Sequence, residues 1–353
     1  MDEIRKRFDG FFAVQNKLDV LMLSGGEPTL HPRFEEVLEE VLRRPIGRVL
    51  VNTNGLLLAK RPSLVESIAK HRDRVELYFS FSSFRKEVHE RLYGRDLRTE
   101  KGEALSIAHR AGILTTITMT AERGVNDDEI GEMLRFALRS PGVNGLTIQP
   151  VMTAGRFEHP HNPAERLTLT DTLRAMEEQS QGMLLSSDFV GLPCSHPDCC
   201  AITYGFLNAE RSVLTPLPRH LDVARYMELF ADRISFAGLL GAAARRVWSD
   251  AAHLRGRQTL QDLLRLFRQA GVRDAFAIRN RPEEVSRRIF RVVVKPFMDA
   301  HTWDKKRVEQ CCTKMLLEDG RSVSFCEYNV LHRLRPARTA QIALTPRREE
   351  MPA

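Results

Sequence analysis

Apolar positions change period repeatedly along the first 150 residues. Runs of strand length, DVLMLS (19–24), RVLVN (48–52), VELYFSF (75–81), ILTTITM (113–119) and GLTIQP (145–150), are separated by stretches of helical period. In the clearest of these, Phe34, Val37, Leu38, Val41 and Leu42 stand at i, i+3, i+4, i+7 and i+8, with Pro32 placed at the first turn and Glu35 and Glu36 close behind. Further helices are predicted over 62–71, 101–111 and 127–139, and one over 2–16 precedes the first strand. Strands alternating with helices at this spacing predict parallel βα units with right-handed crossovers, whose ligands sit at the carboxyl ends of the strands. A βα barrel normally opens on a strand, and here that strand is missing.

The pattern changes after residue 150. Residues 151–166 are polar and turn-rich and read as a loop. The stretch 219–290 is predicted helical, for example through Leu260, Leu263, Leu264 and Phe267. Such amphipathic helices face a core or, as the alternative, a lipid. The final segment, 334–353, reads as a disordered tail.

Composition narrows the classes. No apolar run approaches the roughly 20 residues of a spanning helix, and the opening MDEIRKRFDGFF lacks the basic-then-apolar order of a secretory signal. A cytoplasmic protein is expected, with peripheral membrane association as the variant. The net charge of +7 is a mild excess. The arginines are scattered and no aromatic-rich basic block accompanies them, so no nucleic-acid partner is expected; an anionic membrane surface is the partner that the charge leaves open.

All six cysteines lie beyond residue 193, as Cys194, Cys199 and Cys200 and then Cys311, Cys312 and Cys326. In a large chain from a reducing compartment such a gathering suits an iron-sulfur cluster or zinc better than disulfides. Four thiolates complete one 4Fe-4S cluster, so six allow one site with two cysteines to spare, or two sites with open irons or other ligands. The short Cys-x2-Cys knuckles typical of zinc are absent, and His196 and His301 stand close in sequence. The turn SGGEP (24–28) follows the first strand. Gly25 and Gly26 clear the backbone for a ligand, Glu27 adds a carboxylate and Pro28 fixes the exit, an arrangement suited to an ammonium group.

SGGEPTLHP (24–32), NTNG (52–55), GVNDDEI (124–130) and QPVMTAGR (149–156) together resemble the radical S-adenosylmethionine (SAM) enzymes. The resemblance implies a partial (β/α)6 barrel lacking its first strand, with a mainly helical, cysteine-bearing C-terminal region. It implies that Gly25, Gly26, Glu27 and Pro28 hold the methionine end of SAM and that Asn54 and Gln149 face the same cavity. LPCSHPDCCAITY (192–204), KPFMDAHTWDKKRVEQCCTKM (295–315) and FCEYN (325–329) resemble the tetraether lipid synthases and their relatives. That implies one or two auxiliary 4Fe-4S clusters, a lipid substrate attacked at an unactivated C–H bond, and an electron donor such as ferredoxin or flavodoxin. The expected division is 1–165 as barrel core, 166–333 as auxiliary-cluster and substrate region, and 334–353 as tail.

Two departures qualify the resemblance. The family's Cys-x3-Cys-x2-Cys, which binds the SAM-cleaving cluster, does not occur in the sequence, and Ser80 and Ser82 stand where relatives often carry Gln and Asp. A misassigned start, a truncated gene and a non-catalytic SAM- or lipid-binding module are the three expectations for the first. A radical enzyme acting on a peptide or small molecule is the alternative substrate reading. No Ser/His/Asp triad or carboxylate pair offers itself for catalysis.

Overall fold

The computed structural model describes residues 1–154, 162–192, 194–220, 261, 288–317 and 319–333. Five βα units open the chain: α1 (Asp2–Phe12), β1 (Leu18–Leu23), α2 (Phe34–Leu42), β2 (Ile46–Thr53), α3 (Pro62–Ala69), β3 (Val75–Ser80), α4 (Lys86–Tyr93), α5 (Arg98–Arg110), β4 (Leu114–Ala121), α6 (Ile130–Arg139) and β5 (Val143–Pro150). The strands pair in parallel in chain order. Beyond α7 (Leu169–Gln179) come β6 (Val190–Gly191), β7 (Ala201–Leu207), β8 (Leu214–Pro216) and β9 (Ile289–Val294). One sheet runs β1-β2-β3-β4-β5-β9-β7-β6, with β8 on β7.

The alternation along each strand sets the two faces. On β3, Val75, Leu77 and Phe79 pack into the apolar core with Phe34, Leu38 and Val41 of α2 and Leu64 and Ile68 of α3. Ile117, Met119, Leu146, Ile148, Val292 and Val294 continue that face. Successive strand residues point to opposite sides, so Arg48, Glu76, Thr116, Gly145 and Arg291, then Tyr78, Thr118 and Thr147, and then Ser80, Thr120, Gln149 and Lys295, occupy the other. That face is largely polar. Its lowest layer is a buried charge cluster: Glu76 accepts from Arg291 and, at 2.5 Å, from the Thr116 hydroxyl, while Arg48 approaches to 3.8 Å.

The five strands predicted by period are present within two residues at each end. α1 stops at Phe12, short of 16, and Pro32 stands two residues ahead of α2 rather than in its first turn. A sixth parallel strand, β9, pairs with β5 from Gly145↔Arg291 to Ile148↔Val294. It overlaps the end of the stretch predicted helical, because a short continuous apolar run such as IFRVVV carries no period that separates strand from helix. The rest of that stretch, apart from 219–220, 261 and 288, and the tail 334–353, lie outside the described residues. The sheet is continuous across residue 165. Among the described residues no helix is long and apolar enough to cross a membrane.

Candidate functional site

The turn after β1 is held by its own carboxylate. Glu27 Oε1 accepts from the Thr29 amide at 3.2 Å, the Thr29 hydroxyl at 2.6 Å and the Thr53 hydroxyl at 2.8 Å, and Oε2 accepts from the Asn54 amide at 2.7 Å. The side chain therefore ties the carboxyl end of β1 to that of β2. Asn52 adds a second tie, donating to the Ser24 hydroxyl at 3.0 Å. Gly25 and Gly26 have φ of +111° and +64°, and a Cβ on either would meet nothing within 4 Å. Backbone conformation, not crowding, demands glycine there. Pro28 opens a single 3₁₀ turn, Pro28–Leu30. Ser24, Gly25 and Gly26 are exposed, and among the described residues no backbone amide donates to their carbonyls. Those oxygens are the turn's available acceptors for an ammonium group, since the four donors on Glu27 already use its carboxylate.

Beneath the turn lies a lysine that sequence reading missed. Lys101 is fully buried; its Nζ donates to the Ser80 carbonyl at 2.5 Å, the Ser80 hydroxyl at 3.0 Å and the Asn54 carbonyl at 3.4 Å. It also sits over the Tyr93 ring at 4.6 Å and the Phe79 ring at 5.4 Å. Burial pulls the ammonium down to about 8, and Glu27 pushes it back up. The signal was present in the sequence: Lys101, Ala104 and Ala108 form the buried stripe of α5, so the lysine stands on the apolar face. The Asn54 side chain accepts from the Leu56 amide at 2.9 Å and holds the following turn.

Ser80 is thus a lysine acceptor. Ser82 is buried, accepting from Tyr93 Oη at 2.8 Å and the Thr120 amide at 3.2 Å. Gln149, at the carboxyl end of β5, donates to Tyr78 Oη at 3.2 Å. Tyr78 hydrogen-bonds Thr118 and Thr147 as well, and its burial pushes the phenol up. The turn and Asn54 are directly joined, whereas Gln149 belongs to the polar set on β3, β4 and β5.

The six cysteines, far apart in sequence, gather at the carboxyl ends of β5 and β9. All are free thiols. Cys194 hydrogen-bonds Cys312, and this pairing together with burial drives the Cys312 thiol strongly upward. Cys200 is pushed up to about 11 by burial and feels Cys199, Cys312 and Lys295. Cys326 accepts from the Met298 amide at 3.3 Å and feels Cys311 and Cys199. Cys311 Sγ donates to the Thr313 carbonyl at 3.2 Å. Among the described residues no three His, Cys, Asp or Glu side chains are placed to hold a single metal ion. One zinc needs thiolates about 4 Å from one another, given tetrahedral bonds of about 2.3 Å. A four-iron cluster is wider, and a looser gathering of soft donors matches it better. His196 caps the 3₁₀ turn Pro197–Cys199, accepting from the Asp198 amide at 3.3 Å, and the His301 amide is bound by Asp299.

Residues 1–137, the stretch holding the turn, Asn54 and Lys101, match the radical SAM superfamily. They form a radical SAM domain. Over 94% of its length the chain is 26% identical to 7,8-dihydro-6-hydroxymethylpterin dimethyltransferase of Methanocaldococcus jannaschii, covering 69% of that protein. A stretch of 145 residues is also 30% identical to GTP 3',8-cyclase of Stenotrophomonas maltophilia, over 40% of this chain and 42% of the cyclase, so the match spans less than half the cyclase's length. Among solved structures, Streptococcus suis SuiB aligns with a TM-score of 0.42 at 16% identity, over 51% of this chain and 39% of that one.

Proposed function

We propose that the radical SAM domain of this chain binds SAM by its methionine amino group at Ser24–Gly26, and that the gathered cysteines hold an auxiliary 4Fe-4S cluster across the same strand ends. The observation that carries the SAM site is the Glu27 carboxylate, which spends its acceptors on Thr29, Thr53 and Asn54 and so fixes the exposed carbonyls of the turn. When bound, SAM with a reduced cluster supplies a 5'-deoxyadenosyl radical able to take hydrogen from an unactivated C–H bond. The 353 residues contain no Cys-x3-Cys-x2-Cys, so SAM cleavage calls on thiolates that they do not supply. What this chain contributes is placement: Glu27 shapes the turn, Lys101 braces Asn54 against Ser80, and Tyr78 with Gln149 presents polar groups to a reactant. A one-electron donor of the ferredoxin or flavodoxin type is the expected partner.

For the substrate, the polar strand face around Tyr78, Thr118, Thr147 and Gln149 favours a polar heterocycle over a bare alkyl chain, because a heterocycle can hydrogen-bond to such a face and an alkyl chain cannot. The M. jannaschii relative, named for a pterin, supports the same class. A lipid chain is the second reading, carried by the resemblance of the cysteine segments to tetraether lipid synthases; the helices expected to line its tunnel fall outside the described residues.

Calorimetry of the full chain with SAM tests the first claim. One-site binding is expected, with Glu27→Ala at least tenfold weaker. A wild-type chain that takes up no SAM overturns it. Adding a dihydropterin or phospholipid vesicles in turn separates the substrate readings, with saturable pterin binding expected and vesicle binding alone favouring the lipid.

A further inference from the structure

Two cations stand beside the cysteine group. Arg307, on the short helix Lys305–Glu309, points Nε at Cys199 Sγ, 3.2 Å away, while the rest of its fork donates to the Asp198 carbonyl at 3.2 Å and the Pro296 carbonyl at 3.4 Å. It thereby ties the 196–200 turn to the segment leaving β9. Lys295 stands one residue past β9. The β7–β9 ladder pairs Ala201 with Val294, so the next step of the same register sets Cys200 opposite Lys295. Lys295 Nζ donates to the Thr313 hydroxyl at 2.6 Å, and Thr313 is the residue whose carbonyl Cys311 Sγ reaches. Neither cation forms a salt bridge among the described residues, whereas most of the chain's described arginines do.

A partly buried cation without a carboxylate is costly unless something negative arrives beside it. The groups beside these two are thiols. Nothing is gained by surrounding neutral thiols with two cations, and much is gained when the thiols become cluster ligands carrying negative charge.

We propose that Arg307 and Lys295 are positioning residues that set the reduction potential of the auxiliary cluster, Arg307 by an N–H···S hydrogen bond to Cys199 and Lys295 by its charge beside Cys200 and Cys312. This inference rests on the cluster reading above. Hydrogen bonds to cluster sulfurs and nearby positive charge both favour the reduced, more negative state, and so raise the potential.

The experiment reconstitutes the full chain with iron and sulfide under anaerobic conditions, and follows iron content and the redox midpoint by dithionite titration with electron paramagnetic resonance detection. Wild type is expected to retain iron. Arg307→Leu is expected to retain it too, with the ratio of reduced to oxidised cluster at fixed potential falling about tenfold, a midpoint lower by about 59 mV for one electron. Arg307→Lys, which keeps the charge and loses the fixed fork, is expected to fall between them, and Lys295→Met is expected to shift in the same direction as Arg307→Leu. Equal iron with an unchanged midpoint in Arg307→Leu and Lys295→Met overturns the inference and leaves the cluster reading standing. Iron lost from Arg307→Leu and Arg307→Lys alike marks Arg307 as a packing residue and overturns its tuning role. A wild-type chain that retains no iron overturns the cluster reading and this inference together.

Discussion

Lys101 shows how one residue can carry a site and a stability cost at once. Its ammonium is fully buried beneath the turn, held by carbonyls, a hydroxyl and two aromatic faces, and its proton is released near pH 8 rather than near the ordinary lysine value of 10.5. The folded chain therefore binds fewer protons than the unfolded chain between those values. The resulting penalty is fully present below pH 8 and is relieved as pH rises toward 10.5. It amounts to something on the order of 3 kcal/mol. Lys101→Met removes the group that titrates, so the stability difference between the variant and wild type is expected to shrink between pH 7 and pH 9.5. Denaturant melts across that range check it; parallel curves for the two proteins would show that Lys101 does not titrate there. Glu27 gives the complementary lesson. From the sequence it read as an added negative charge for a ligand, yet the four hydrogen bonds it accepts all come from the chain itself.

At the scale of elements, the turn between β1 and α2 and the charge cluster under the sheet rest on different physics. Gly25 adopts a φ of +111°, a region that side chains rarely enter, although the surrounding space is open. Gly25→Ala is expected to cost about 1–3 kcal/mol through backbone strain alone, and to weaken SAM binding further because the carbonyls move. Equilibrium unfolding and calorimetry on the same variant separate the two effects. β1 to β5 were readable as apolar runs of strand length set between helical periods; β4, with Thr116, Thr118 and Thr120 against Ile117 and Met119, also alternates a polar face with an apolar one, whereas β1, LDVLML, is apolar on both. β9 has apolar residues on both faces, and so its sequence carried no such alternation.

For the whole molecule, the polar strand face is the organising feature. Glu76 on β3 joins Arg291 on β9 and Arg48 on β2 across the bottom of the sheet, linking segments 215 residues apart in sequence. Glu76→Leu would leave two guanidiniums without the carboxylate they now share, and is expected to destabilise the fold by about 3–5 kcal/mol, read from the urea midpoint. Above that floor lie Tyr78 and Gln149, and at the strand ends the SGGEP turn and the cysteine group. A change confined to the floor should leave SAM affinity per folded molecule nearly unaltered, which calorimetry on the folded fraction checks.

Several features were determined by the sequence alone. Periodicity established the five βα units, the glycines and proline of SGGEP established a sharp turn at a strand end, and the spacing of cysteines established two soft-donor segments. These are local properties, written in residues that are neighbours along the chain or one helical turn apart. Three others awaited the tertiary structure: the sixth parallel strand, the bracing of Asn54 by Lys101, and the meeting of Cys194, Cys199 and Cys200 with Cys311, Cys312 and Cys326 beside Lys295 and Arg307. Each of these depends on strand order and register, through which residues separated by tens to hundreds of positions come within a few ångströms, and no local period records that order.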